Sequence, residues 1–335
     1  MPPRSKRLLS DVPTTVEGVT KTRLFFVTDV HGSNRCFRKF VNSAKFYQAG
    51  VLILGGDITG KTIVPVVKQP DGSHLARHIG NEVRITSESQ LKEIMREISD
   101  AGAYPHVVDS DGYASLHDDP VKRDLLFNRL IVGRVEEWMR LAEERLGGSA
   151  VRCYISPGND DLFEIDSKLN SSSYVINPEE KLVSIDDEHE MITLGYTNHT
   201  PWHSPREVDE HVLMDKIDKL TREVRDMRKA IFNLHVPPIG TTIDQAPKVG
   251  PDLKYVAKVG QVEVISAGSQ SVRKAVEDHQ PMLGLHGHIH ESRGVVNIGR
   301  TLCANPGSEY GEGILRGFLA DVDGDRVKSH LLTSG

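Results

Sequence analysis

Leu24-Phe25-Phe26-Val27-Thr28-Asp29-Val30-His31 is the stretch that decides how this chain is read. Its first five residues are apolar, aromatic or β-branched, a composition that predicts a short buried strand. Asp29 and His31 then set a carboxylate and an imidazole two residues apart just past the strand end, where both can turn toward one point. Asp-x-His by itself is common by chance. Four further groups follow in order: Gly55-Gly56-Asp57, Gly158-Asn159-Asp160, Asn233-Leu234-His235 and Gly287-His288-Ile289-His290. Each also follows a short apolar run. Five strand-end clusters of Asp, Asn and His in one chain point to a metal.

The bulk composition is that of an ordinary water-soluble globular chain. The 335 residues are 38% hydrophobic and 26% charged, enough for one large domain or two smaller ones. A net charge of −6 carries no strong nucleic-acid signal and no basic membrane signal. The three cysteines, Cys36, Cys153 and Cys303, are scattered and odd in number. They fit reduced thiols in the cytoplasm better than a disulfide framework or a cysteine metal site. No apolar run approaches the ~18 residues that span a bilayer. The Pro-, Ser- and Arg-rich N-terminus lacks a secretory h-region.

The expected organisation is a polar tail over residues 1–22 and one α/β domain over 23–335. Leu24–Thr28 and Val51–Leu54 read as buried strands joined by a helix from Asn34 to Tyr47, closed by Gly50. Between about 61 and 148 the metal-type residues stop. That stretch reads as a helical and hairpin insertion, with helices opened by the capping box Ser87-x-x-Gln90 and by Pro120. The apolar faces of these two helices make a twofold homodimer the expected assembly. Val151–Ile155, Ile231–Leu234 and Met282–Leu285 read as further strands, each delivering one cluster. Ser204-Pro205-Arg206-Glu207 reads as the start of a long helix. Asp323-Gly324 reads as a hairpin turn.

Asp and His bind borderline divalent ions such as Mn²⁺, Fe²⁺ or Zn²⁺, and an Asn carbonyl adds a neutral oxygen. Asp29, His31, Asp57, Asn159, His235, His288 and His290 are too many ligands for one tetrahedral ion. They suit two ions about 3.5–4 Å apart with one carboxylate bridging, the arrangement used for in-line displacement at phosphorus.

The order and spacing of these groups resemble the calcineurin-like metallophosphoesterase superfamily: Asp-x-His, Gly-Asp, Gly-Asn-His-Asp/Glu, His, then Gly-His-x-His. Gly55–Lys61, Pro157–Asp161 and Asn305–Glu309 look most like an Icc-related group of predicted phosphoesterases. The resemblance implies a four-layer α/β/β/α sandwich carrying two divalent ions. One ion would be held by Asp29, His31, Asp57 and His290, the other by Asp57, Asn159, His235 and His288. The departure is Asp160, where the family usually has a His that assists phosphate binding and the leaving oxygen. The resemblance also matches Asp161 to the acidic residue that orients that His. An ionised Asp160 donates no proton, so the catalytic candidates are Asn159, Asp160 itself and a neighbouring His, His199.

The expected activity is hydrolysis of a phosphodiester or nucleotide, with weak monoester turnover. The alternative is a metal-containing nucleotide-binding or scaffold protein with little turnover. Gly55 to Thr62 also matches the phosphate-binding loop G-x-x-x-x-G-K-[ST], which would make the chain an NTPase. The β-branched Ile63-Val64-Pro65-Val66-Val67 argues against it, because that loop needs a helix directly afterwards.

Overall fold

The structure is a computed structural model that describes residues 21–78 and 80–335; of the expected tail 1–22, residues 1–20 lie outside the described residues, and Thr22 already belongs to the first strand. Alternation along the first strand sets the layers. Leu24 and Phe26 on Thr22–Val27 face one core, whereas Phe25 and Val27 face another. The next strand, Val51–Gly55, divides the same way: Val51 and Ile53 to one side, Leu52 and Leu54 to the other. A strand apolar on both faces must be covered on both.

Two sheets supply that cover. The first has five strands in the order Arg326–Ser334, Arg316–Asp323, Thr22–Val27, Val51–Gly55, Arg152–Ser156, and the last three run parallel. The second has six, in the order Gly294–Ile298, Thr301–Asn305, Leu283–Leu285, Ile231–Leu234, Glu190–Leu194, Leu182–Ser184. Its four middle strands are parallel. Leu24, Phe26 and Phe318 of the first sheet meet Met191, Ile231 and Leu283 of the second. Helices Asn34–Tyr47 and Pro120–Leu146 cover the outer face of the first sheet through Phe37, Phe40, Val135 and Trp138. Glu210–Thr221 and Gln270–His279 cover the second through Leu213, Ile217, Val272 and Val276. This is the expected four-layer α/β/β/α sandwich.

The 61–148 stretch divides in two. Ile63–Lys68, His74–His78, Asn81–Ile85 and Tyr104–Val108 form a separate four-stranded sheet. Val66, Ala76 and Ile85 pack under Ile98 of helix Glu88–Asp100. The second half of Pro120–Leu146 instead belongs to the outer layer of the main sandwich, where Trp138 stacks on Phe37 at 4.2 Å and donates to Asn34 Oδ1 at 2.7 Å. The two helices thus pack inside the chain through Ile98 and Trp138, while Val121 and Leu125 of the second are exposed.

Two local expectations about helices are corrected. Helix Asn34–Tyr47 starts at Ser33, whose hydroxyl accepts from the Cys36 amide, but it closes on Gln48 in the left-handed region and not on Gly50. Ser204–Glu207 is not a helix start. It is a strap whose Thr197 and Arg206 backbones pair, and the helix begins at Glu210 behind Asp209. As the β-branched run 63–67 implied, Lys61-Thr62 leads into strand Ile63–Lys68 and not into the helix that a phosphate-binding loop requires. The expected hairpin is present, but Asp323 pairs with Arg326, so its turn is Gly324-Asp325 and not Asp323-Gly324, with Gly324 at φ +58°.

One contact clips the two sheets together at an edge. Asp186, in the turn of the Leu182–Leu194 hairpin, accepts from Thr22 Oγ1 and lies 2.7 Å from His189 Nδ1, while His189 Nε2 lies 2.8 Å from the Gly324 carbonyl. Both ring nitrogens thus face acceptors, which favours the imidazolium. Burial opposes the charge, but Asp186 and the Gly324 carbonyl raise the His189 pKa above its usual 6.5. A raised basic pKa stabilises the fold fully below the unfolded value, and the gain is lost as pH rises through the folded value. We expect urea midpoints to fall as pH rises above the usual histidine value of 6.5, and His189→Gln to flatten that dependence. We also expect Trp138→Ala to lower global stability by about 3–5 kcal/mol in urea unfolding, as a core truncation does; a change under about 1 kcal/mol would place that helix outside the main core.

Candidate metal centre

The parallel strands bring the clusters together. Thr22–Val27, Val51–Gly55 and Arg152–Ser156 end side by side and release Asp29/His31, Asp57 and Asn159/Asp160. In the second sheet Ile231–Leu234 and Leu283–Leu285 are neighbours and release His235 and His288/His290. Ligand sites in α/β sheets form at carboxyl ends of strands for this reason.

The loops stay laced beyond the strands. The amides of Asp29, His31 and Gly32 donate to the carbonyls of Gly56, Asp57 and Ile58 at 2.8–3.0 Å. The His288 amide donates to both Asp29 carboxylate oxygens at 3.0 and 3.2 Å, and Ser308 Oγ donates to the Asp29 carbonyl at 2.6 Å. Asp29, His31, Asp57 and His288 all have positive φ, between +38° and +66°. Non-glycine residues hold this conformation only where surrounding contacts over-determine it. Gly158 has no such freedom to be replaced: a Cβ there would collide with the Asp57 amide and carboxylate.

Six of the seven expected ligands fall into two groups, Asp29/His31/His290 and Asp57/His235/His288, each with two buried members and one part-buried histidine, and with the ligand atoms in each within 4.8 Å of one another. The seventh, Asn159, places its Oδ1 2.8 Å from His288 Nδ1. His31 Nε2 lies 3.0 Å from His290 Nε2, which lies 3.3 Å from Asp29 Oδ1. The two Asp57 oxygens face different rings: Oδ2 is 3.7 Å from His31 and Oδ1 is 3.4 Å from His235. His31, Asp57 and Asp160 form a third such group around the same carboxylate.

The fit to metal rests on lone pairs. His235 Nδ1 lies 3.0 Å from the Gly55 carbonyl, which can only accept, so Nδ1 carries the hydrogen. In the neutral ring Nε2 is then a bare lone pair. It is buried without a hydrogen-bond partner, facing Asp57 and Asp29 oxygens at 3.4 and 3.8 Å. Lone pairs converge there on lone pairs, and a cation resolves the conflict. With no metal the charge must come from protons. Burial works against the His235 imidazolium, yet Asp57 and Asp29 push its pKa up to about 10. Burial and the Asp160 carboxylate raise Asp57 to about 7, and burial and His235 lower His288 to about 3. The donor set is oxygen and nitrogen with no sulfur, which suits borderline divalent ions.

The expected catalytic residues separate. Asp160 stays at the cluster: its amide donates to Asp57 Oδ1 at 3.0 Å, and its carboxylate binds Lys61 Nζ and Ser204 Oγ. Burial opposes its ionisation, but the Lys61 ammonium holds its pKa down at about 2. His199 does not join it. Its side chain is exposed and turned to Asp209 Oδ1 at 3.0 Å and Glu207 Oε2 at 3.8 Å. Asp161 orients no histidine. It is fully buried and accepts from the amides of Ile58, Thr59 and Gly158 at 2.8–2.9 Å and from Thr59 Oγ1, tying the Asp57 loop to the Asn159 loop.

Arg206, read from sequence as a helix-start residue, is buried. It donates to the Asp161 and Leu162 carbonyls and to Asp166 Oδ1 at 2.6–3.3 Å, and its own amide donates to the Asn159 carbonyl at 3.1 Å. Lys61 was legible only as part of a loop motif. Its place beside Asp160 comes from residues about a hundred positions apart, and no local signal marks it.

No protein-family model matches the chain. It is 32% identical over 152 residues to the uncharacterized protein MJ1162 of Methanocaldococcus jannaschii, a match covering 45% of this chain and 61% of that protein. The chain thus spans about three fifths of that relative's length. Among solved structures, one similar chain superposes with a TM-score of 0.56 at 17% identity, over 94% of this chain and 99% of that one. The crystal structure of TT1561 of Thermus thermophilus superposes with a TM-score of 0.52 at 13% identity, with the same coverage. At such identity the likeness is one of fold. The two-sheet sandwich gathers Asp, Asn and His at its inner strand ends. Among the described residues no helix is long and apolar enough to cross a membrane.

The Asp161 knot can be tested without any substrate. Asp161→Ala removes four accepted hydrogen bonds from buried donors, each worth about 1 kcal/mol or more. We expect a clear fall in thermal midpoint and at least roughly tenfold weaker Mn²⁺ binding by metal titration, as for loss of a group that orients metal ligands.

Proposed function

We propose that this protein is a dimetal phosphoesterase acting on phosphodiester or nucleotide substrates. The observation that carries the reading is Asp57: one buried carboxylate whose two oxygens face two separate histidine sets. Asp29, His31, Asp57 and His290 would hold one ion, and Asp57, Asn159, His235 and His288 the other. Such ions, when bound, neutralise phosphate charge and lower the pKa of a water to near neutrality. The chain's part is to fix the donors. His235 Nδ1 is committed to the Gly55 carbonyl, which keeps Nε2 aimed inward, and the Asp29 carboxylate is fixed by the His288 amide.

The preference for a diester over a monoester follows from the missing acid. Asp160 is held as a carboxylate by Lys61, and His199 is engaged on an exposed strap. A monoester with a basic alkoxide leaving group gains most from a proton donor, so its turnover suffers most. A nucleotide-binding or scaffold role is the second reading, favoured by the same lack of an acid. The metal identity we favour is Mn²⁺, with Fe²⁺ or Zn²⁺ compatible with the same donors.

The deciding measurement is hydrolysis of bis(p-nitrophenyl) phosphate beside p-nitrophenyl phosphate by Mn²⁺-loaded protein. Diester turnover should exceed monoester turnover by about tenfold or more, the scale of lost acid catalysis. His288→Ala and Asp57→Asn should lose on the order of a hundredfold or more, with reduced metal content. Full activity in either variant removes the mechanism. No turnover of either ester by metal-loaded wild type moves the protein to the binding reading.

A further inference from the structure

The floor of the metal centre is sealed. Asp29, His31, Asp57 and His235 are each at most 2% exposed. Exposure returns on the side of Lys61, Asp160 and His290, whose side chains are 50%, 19% and 28% exposed. The half-buried Tyr310 ring stands beside them, 4.7 Å from the His31 ring and 6.0 Å from that of His290. A ligand that reaches the buried carboxylate and imidazole atoms from this side passes Lys61 and Asp160.

Both members of this pair are fixed to the ligand loops. The Asp160 amide donates to Asp57 Oδ1 at 3.0 Å, and its carboxylate is shared between Lys61 Nζ and Ser204 Oγ. Lys61 follows Gly60, whose amide donates to Tyr104 Oη at 2.9 Å and whose Cα leaves no room for a side chain beside the Gly102 carbonyl. The Lys61 ammonium carries three donors, and Asp160 is its one ion-pair partner among the described residues. The remaining donors are free for an anion at the rim.

We propose that Lys61, held at the open rim by Asp160, is the cationic contact for the phosphate group of the substrate. This rests on the phosphoesterase reading and gives Asp160 a positioning role, not a proton-transfer role. The two residues then act on an anion with opposite signs. Without the ammonium, Asp160 stands as a bare carboxylate next to Asp57 and repels phosphate. With an Asn amide in place of the Asp160 carboxylate, Lys61 keeps an acceptor that holds it at the rim and offers its full positive charge to the ligand.

The test is calorimetric titration of inorganic phosphate into the Mn²⁺-loaded full chain, with metal content measured for each variant. Lys61→Met should weaken phosphate binding roughly tenfold at unchanged metal content, the scale of one charge-assisted hydrogen bond. Lys61→Arg should restore most of that loss, which a merely structural role for the lysine stem would not require. Asp160→Asn should tighten phosphate binding several-fold. Equal affinity in wild type and Lys61→Met overturns the proposal, as does Lys61→Arg binding as weakly as Lys61→Met, or weaker binding in Asp160→Asn. Loss of metal in Lys61→Met also overturns it, because the lysine would then be supporting the metal centre itself. The phosphoesterase reading fails separately, by absence of ester turnover in wild type, since phosphate binding needs no turnover.

Discussion

Two carboxylates, Asp29 and Asp57, lie almost fully out of water and close together, and the surrounding structure exists to make that tolerable. An unpaired buried charge costs several kcal/mol, and two of like sign cost more. The chain meets this with imidazoles from both sheets, with main-chain amides turned onto the Asp29 oxygens, and with a tautomer-fixing carbonyl behind His235. None of these removes the conflict between the His235 lone pair and the carboxylates it faces. Only positive charge does. Such a site is built around cations even though its own residues carry mostly lone pairs.

Holding that arrangement requires a stiff frame, and the frame comes from alternation in short strands. Leu24, Phe26 and Ile53 weld the two sheets, while Phe25, Leu52 and Leu54 bind the outer helices. Parallel neighbours then end level with one another, so loops from distant parts of the chain leave at one place. The strain of four candidate ligands at positive φ is borne by the lacing between those loops and by the Asp161 knot. Arg206 extends the same support one loop further, fixing the turn that carries Asn159.

The rim differs in character from the floor. The floor gathers buried carboxylates and imidazoles, whereas the rim carries the partly exposed ion pair of Lys61 and Asp160. A pair of this kind adds little to stability, because solvent screens it. Its placement beside the ligand cluster gives it a different use. Lys61 stands four residues after Asp57 on one loop and Asp160 one residue after Asn159 on another, so the pair is as well registered as the ligands themselves.

Much of this was legible along the chain. Every strand-end cluster follows an apolar run, and β-structure ends where such runs stop, so Asp29, His31, Asp57, Asn159, His235, His288 and His290 could be picked out without coordinates. The sandwich was legible for the same reason: doubly apolar strands need cover on both faces. What failed were signals with two readings. Ser-Pro-Arg-Glu at 204–207 has the local chemistry of a helix start, but Arg206 is drawn into the interior by Asp166 and two carbonyls, and tertiary pairing with Thr197 won. The helix Pro120–Leu146 looked detachable because sequence position says nothing about which sheet an apolar face will find; its stacking of Trp138 on Phe37 answers that. His199 looked available by proximity in sequence, yet its strap turns it outward to Asp209. The sequence by itself determined the candidate donors, their order and the layers, because these depend on periodicity and side-chain chemistry within a few residues. Tertiary structure alone decided which oxygen faces which ring, that Asp161 ties loops together, and that Lys61 meets Asp160, because each of those is a contact between segments that only the packing of two sheets brings within reach.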